Sequence, residues 1–367
     1  MKPTLQAICQ VLEAFAPLGL QEEFDNCGLL VGSDPALPIS GAVLCVDVTE
    51  AVVDEAISLG YNLIIAHHPV IFRGIKSLTG RNRVERCIIK AIENHVAIYA
   101  AHTNFDNAKD GVSYRMAQKL HLTDINVLVP KEKALCKLIT FVPEAYADKV
   151  KNALFATGAG HIGAYDSCSF SHAGKGTFRA NAGANPFCGA VGEVHTEAEL
   201  RIEVIFPRYL QSTIVKTLFA EHPYEEPAFD LIDLSNTWRH TGLGVVGELP
   251  QAVNEHRFLS QLKETFACAS IRHSPLTGRD IRRVALCGGS GAEFIPQALK
   301  ANADIFVTAD VSYHRFFETE NRMIIADIGH YESEQFTREI FYEQLQKKIP
   351  NFAIRFSERE QRQMMTF

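Results

Sequence analysis

The sequence contains no C-x-x-C pair, no apolar run of about 18 residues, no tandem repeat and no low-complexity linker. Each absence excludes something. Nine cysteines scattered without paired spacing argue against a disulfide frame or a zinc knuckle, and for reduced thiols in a cytoplasmic protein. Without a long apolar run, no segment is expected to span a membrane. Positive charge is also scarce. Lys and Arg number 36 against 43 Asp and Glu, a formal charge of −7, which gives no support to a nucleic-acid partner held by bulk electrostatics. The opening MKPTLQAICQVLEAFAPLGL lacks the apolar core and small-residue cleavage site of a secretory leader. Leu5, Ile8, Leu12 and Phe15 recur there at helical spacing instead, predicting an amphipathic helix.

What is present is ordinary globular composition, 47% hydrophobic and 22% charged, over 367 residues. That length is too great for one ordinary core and implies two domains, or one domain with an insertion. Several segments share a rhythm of a short apolar run, a polar or Gly-rich break, and a helical pattern. GAVLCVDVT leads into EAVVDEAISLG, VAIYAA into HTNFDN, RRVALCGGSG into AEFIPQALKANA, and RMIIADIGH into YESEQFTREIFYEQLQKKI. Apolar strands alternating with helices predict an α/β layer fold with a mostly parallel sheet. Residues 130–238 break the rhythm. LCKLITFVP, ELRIEVIFP and AFDLIDL read as strands, EAYADKVKNALFATGAG and RYLQSTIVKTLFAEH as helices, and AYDSCSFSHAGKGTFRA as a strand and hairpin. The order βαββαβ is ferredoxin-like. The chain thus divides into a first α/β half at 1–129, an insert at 130–238 and a second α/β half at 239–367.

In open α/β sheets, ligands bind beyond the carboxyl ends of the strands. NLIIAHHPVIF places His67 and His68 at such an end, and AAHTNFD adds His102 and Asp106. FVTADVSYH adds Asp310 and His314, IADIGHYESE adds Asp327, His330 and Glu334, and FDNCGLLVG adds Asp25 and Asn26. Any one of these is ordinary loop chemistry; imidazoles and carboxylates recurring at one topological position are not. Adjacent rings on an ideal strand point to opposite sides. His67 and His68 therefore suit two metals, unless the backbone bends before Pro69. His330 and Glu334 stand one helical turn apart and can face one centre. A mixed His and carboxylate set suits Zn²⁺, Fe²⁺ or Mn²⁺ rather than Ca²⁺. Two such ions about 3.5–4 Å apart share a bridging water and clamp an oxyanion. CGGSGAEF, around Gly288–Gly291, reads either as an anion cradle or as a tight strand-to-helix turn. HPYEEPAFD, with His222, Tyr224, Glu225 and Glu226, reads as a turn before a strand rather than as a ligand patch. His161, His172 and His195 show no spacing that suggests a shared ion.

FDNCGLLVG, AHHPVIF, HTNFDNAKDGV, CGGSG, TADVSYH and DIGHYESE occur in this order over nearly the whole chain. Together they resemble the GTP cyclohydrolase 1 type 2 homologue family, the NIF-three-like proteins, and the middle resembles the inserted PII-like domain of the longer bacterial members. The resemblance implies two divalent ions per subunit on His67, His68, Asp106, His330 and Glu334, with Glu334 as the bridge, and a toroidal homohexamer. The family often has Gly where Ala309 stands here. The function it implies is metal-dependent hydrolysis of a nucleotide-like or other small substrate. Beside the implied ligands, His102 reads as a direct ligand, a partner behind one or a proton shuttle, and His314 as a general acid or base near the metals or a helix-surface residue. The other reading is a non-catalytic hexameric metal-binding scaffold or regulator whose insert senses a ligand or partner.

Overall fold

The computed structural model describes residues 2–32 and 34–365. Two compact units emerge, one made of Met1–Pro130 with Arg239–Phe367 and the other of Lys131–Trp238.

In the first unit, Ala42–Cys45, Leu63–Ala66, Ala97–Ala100, Ile305–Thr308 and Ile324–Asp327 are strands buried at every position. A strand with no polar face must be covered on both sides, as in parallel sheets layered between helices. The first helix, Leu5–Phe15, follows its predicted face. Leu5, Ile8 and Leu12 are buried, Phe15 packs on Phe105 with ring centroids 5.1 Å apart, and the Thr4 hydroxyl caps the first turn by accepting from the Ala7 N–H.

The strands form two sheets, not the single mostly parallel sheet that the rhythm predicts. One has the order Gly28–Val31, Ala97–Ala100, Leu63–Ala66, Ala42–Cys45, Ile354–Phe356. The other runs Arg272–His273, Ile324–Asp327, Ile305–Thr308, Ile281–Leu286, Gly242–Val253, Thr123–Pro130. Central pairs are parallel, but Gly28–Val31, Arg272–His273, Gly242–Val253 and Thr123–Pro130 pair antiparallel, so both sheets are mixed. The physical reason is plain: an apolar run records coverage on both faces and carries no information on strand direction or sheet membership.

The second unit has strands Leu135–Pro143, Ser169–Arg179, Val194–Pro207 and Phe229–Leu234 with helices Ala147–Ala156 and Gln211–Glu221, in the order βαββαβ. Its sheet is wholly antiparallel, with Leu135–Pro143 between Val194–Pro207 and Phe229–Leu234 and Ser169–Arg179 on the outer edge. Leu138, Val150, Leu154, Ile202, Val204, Ile214 and Leu218 form its core.

Candidate metal centre

Five strand ends supply the centre. Asp47 follows Ala42–Cys45, His67 and His68 follow Leu63–Ala66, and His102 follows Ala97–Ala100. From the other sheet, Asp310 follows Ile305–Thr308, and His330 and Glu334 sit on the short helix His330–Glu334 after Ile324–Asp327. Asp106 lies on the helix Thr103–Asn107. Past the end of its strand, the chain bends at the histidine pair, so the His67 and His68 rings stand only 5.0 Å apart, centroid to centroid.

Two groups form. Ring nitrogens of His67, His68 and His102 lie within 4.8 Å of one another, and so do ligand atoms of His68, His330 and Glu334. Glu334, 3% exposed, forks between them. Its Oε1 is 3.6 Å from His67 Nε2, while Oε2 is 2.9 Å from His68 Nε2 and 3.1 Å from His330 Nε2. Asp106 Oδ1 is 3.9 Å from His67 Nε2.

Each imidazole is oriented by an acceptor behind it. His67 Nδ1 faces the Ala101 carbonyl at 2.8 Å, and His68 Nδ1 faces Asp47 at 3.0 Å. His102 Nδ1 faces Asp25 at 2.8 Å, and His330 Nδ1 faces Asp310 at 2.7 Å. Carbonyls and carboxylates only accept, so all four rings donate from Nδ1 and turn Nε2 inward. The inward atoms lack partners. His67 Nε2, Asp106 Oδ1 and Glu334 Oε2 are buried without a hydrogen bond, and His68 Nε2 and His330 Nε2 face each other at 3.2 Å. Buried polar atoms are almost always satisfied. Three orphans at one point, all of them metal-ligating, are what a cation would satisfy, and the residues present therefore fit a metal pair.

Electrostatics agree. Burial pushes the Asp106 carboxyl up to about 7. Burial alone would lower the His68 imidazole, but the Glu334 carboxylate and the Asp47 hydrogen bond outweigh it and hold it up at about 10. His330, likewise opposed by burial, is raised to about 11 by Asp310 and Glu334. For Glu334, burial is overcome by the charges of His67 and His68, and the carboxyl falls well below its ordinary range.

Asp47 is a supporting residue that the sequence reading missed. The signal was present, an Asp directly after a fully apolar strand, but such residues usually cap helices; here Thr49 does the capping, accepting from the Val52 N–H. Asp310 adopts a left-handed φ of 52° to reach His330, and Ala309 before it needs no glycine freedom. Asp327 is structural. It pairs with Arg272 and accepts from the Val311 and Gly329 N–H groups. Asn26 donates to the Ile71 carbonyl at 2.6 Å. His314 is exposed, its ring beside Tyr313 and Phe317, and belongs to neither group.

The glycine loop is not an open anion cradle. The Gly288, Gly289 and Gly291 N–H groups already donate to the hydroxyls of Ser113, Ser333 and Thr308. Its smallness serves Glu334 instead. Gly289 has φ +64°, and a Cβ there would stand 2.2 Å from Glu334 Oε1. Gly289→Ala is therefore expected to displace the fork and destabilise the fold by about 1–3 kcal/mol from the backbone conformation alone. A lowered melting temperature together with reduced metal content is the readout; unchanged metal content would show that the fork tolerates displacement.

The sequence profile of the family described as Duf34/NIF3 (NGG1p interacting factor 3) matches residues 3–363. A protein of Halalkalibacterium halodurans named GTP cyclohydrolase 1 type 2 homolog is 42% identical, covering 84% of this chain and 83% of its own. The Bacillus subtilis protein of the same name is 37% identical over 89% and 88%. Among solved structures, a Bacillus cereus protein related to NIF3 superposes with a TM-score of 0.82 at 36% identity, covering 100% of both chains.

Proposed function

This chain belongs to the Duf34/NIF3 family, and on that premise we propose that it is a two-metal hydrolase acting on a nucleotide-like or other small substrate. One observation supports the reading most: the forked Glu334 with orphaned ligand atoms on both sides. His67, His102, Asp106 and Glu334 Oε1 would hold one ion, and His68, His330 and Glu334 Oε2 the other. His102 is thereby taken as a ligand rather than a proton shuttle. When bound, Zn²⁺, Fe²⁺ or Mn²⁺ would supply Lewis acidity and a nucleophilic water near neutral pH. The chain's own part is orientation. Asp47, Asp25, Asp310 and the Ala101 carbonyl hold the proton of each imidazole on Nδ1 and so keep every Nε2 available.

Asp47→Asn is expected to weaken metal binding by about 10–100-fold, the usual cost of losing a carboxylate behind a ligating histidine. Competition against a chelator measures it, and an unchanged affinity would remove His68 from the ligand set. The homohexameric ring and the PII-like character of Lys131–Trp238 are further parts of the proposal, supported by family membership and by the insert's βαββαβ order. A monomer in light scattering would remove the ring.

The function itself is tested by a panel of nucleotides (GTP included, since relatives carry that name), phosphoesters and cyclic amides. The metal-reconstituted chain is assayed beside a His67→Ala/Glu334→Ala double variant. Turnover by the wild type alone is the expected result. Turnover that persists in the double variant overturns it, and no turnover across the panel leaves a metal-binding scaffold or regulator.

A further inference from the structure

The insert carries its own convergence of ligating atoms, and it begins with strand geometry. Val194–Pro207 pairs with Ser169–Arg179 so that His195 lies opposite Phe178 and Glu197 opposite Gly176. Alternation places His195, Glu197 and Glu199 on one face of their strand. The connecting loop, residues 180–193, folds back over that face. The Gly192 N–H donates to the Ala180 carbonyl at 2.8 Å, and the Asn185 N–H to Glu225 Oε1 at 3.0 Å. Gly189 lets it come close: its φ is +79°, and a Cβ there would lie 2.8 Å from the Cβ of His195. This approach delivers Cys188. One ligand atom each from Cys188, His195 and Glu197 then lies within 4.8 Å of the others. His195 Nε2 is 2.8 Å from Glu197 Oε2, and Cys188 Sγ is 3.9 Å from the Tyr224 hydroxyl.

Carboxylates outnumber their ion-pair partners around this point. Glu197 has His195 as its ion-pair partner. Glu199, 8% exposed, accepts from the Tyr224 hydroxyl at 2.8 Å and makes no ion pair among the described residues. Glu197 thus meets the imidazole and the thiol, and neither Glu197 nor Glu199 has a Lys or Arg ion-pair partner among the described residues.

We propose that Cys188, His195 and Glu197 form a separate metal site in the insert, holding one divalent ion of the zinc class per chain. Thiolate with imidazole and carboxylate selects a borderline-soft ion over Mg²⁺ or Ca²⁺. Ligand atoms around a tetrahedral zinc stand about 3–4 Å apart, so small side-chain rotations close the set. Three protein ligands leave a fourth position open. Occupancy also fastens the loop that carries Phe187, which with Phe178, Tyr224 and Arg201 walls a cavity of about 560 Å³, the size of a small-molecule site.

Cobalt titration of the full-length, reduced chain tests this. A thiolate ligand gives a near-ultraviolet charge-transfer band that His and carboxylate ligands do not. The band is expected to saturate at one cobalt per chain, to persist in the His67→Ala/Glu334→Ala variant, and to vanish in Cys188→Ser with the loss of one bound ion. Absence of the band in the wild type overturns the proposal. So does a band that survives Cys188→Ser, or one lost only in the double variant, which would move the thiolate to the other centre. Should Cys188→Ser fail to fold, Glu197→Gln reads the same site: cobalt affinity at the band should fall about tenfold or more, and an unchanged affinity overturns the site.

Discussion

Glu334→Ala protein is expected to emerge from dialysis with neither ion bound at the proposed two-metal centre. The other proposed ligands divide between two groups, and the Glu334 carboxylate reaches both, with Oε1 turned to His67 and Oε2 to His68 and His330. Losing His330 would leave the His67, His102 and Asp106 side intact, so His330→Ala should keep about one ion per chain of a two-ion complement. Losing Glu334 takes a ligand from both ions and removes the anion that offsets their mutual repulsion. It also leaves a void beside Gly289, where a Cβ would stand 2.2 Å from the Glu334 Oε1 that the substitution removes. Elemental analysis after extensive dialysis, run in a Cys188→Ser background so that no ion at the insert is counted, reads the result. Two ions retained by Glu334→Ala would show that the fork does not bridge, and the assignment of both groups would fail with it.

The expected results rest on parts of the centre that were unequally legible in the sequence. His67 and His68 stood out because two imidazoles ended a fully apolar run, and the rim position followed from α/β topology. Asp106 and Glu334 drew their weight from the family resemblance. Helix spacing joined Glu334 to His330 but could not reveal that its two oxygens face different imidazoles, because that depends on a contact between two sheets. The number of sheets was itself hidden by runs such as LIIA and IFVT, which look alike whichever sheet they join. The glycine loop stayed open between an anion cradle and a tight turn for a related reason: Ser113, Ser333 and Thr308, which occupy its N–H groups, come from 17 to 175 residues away. The HPYEEPAFD turn, in contrast, is as expected. His222 Nε2 faces the Phe141 carbonyl and its Nδ1 accepts from the Tyr224 N–H, so the ring locks a turn. Cys188 had no sequence signature, since its partners lie across a folded-back loop rather than at a fixed spacing.

Chelated and metal-loaded protein are expected to diverge in stability as pH rises. In the chelated protein, His68 at about 10 and His330 at about 11 keep protons well above the ordinary imidazole range, which lies near about 6.5. Asp106 at about 7 keeps its proton far longer than a free carboxyl. In all three the native state binds protons that the unfolded state has released, so stability falls as pH rises. The Asp106 contribution fades between about pH 4 and 7. The imidazole contribution is complete below about pH 6.5 and fades as pH climbs through about 10 to 11. Glu334, lowered rather than raised, acts in the opposite sense, but only in acid. Metal binding reverses the trend, because each ion must displace these protons and therefore binds more tightly as pH rises. The gap in melting temperature between loaded and chelated protein should widen steadily from about pH 6 to pH 8.5, and calorimetry of the Cys188→Ser variant in buffers of different ionisation enthalpy should show about two to three protons released per chain at neutral pH. A gap that stays flat, with no protons released, would mean that the ions bind elsewhere and that the inward-facing imidazoles hold protons alone.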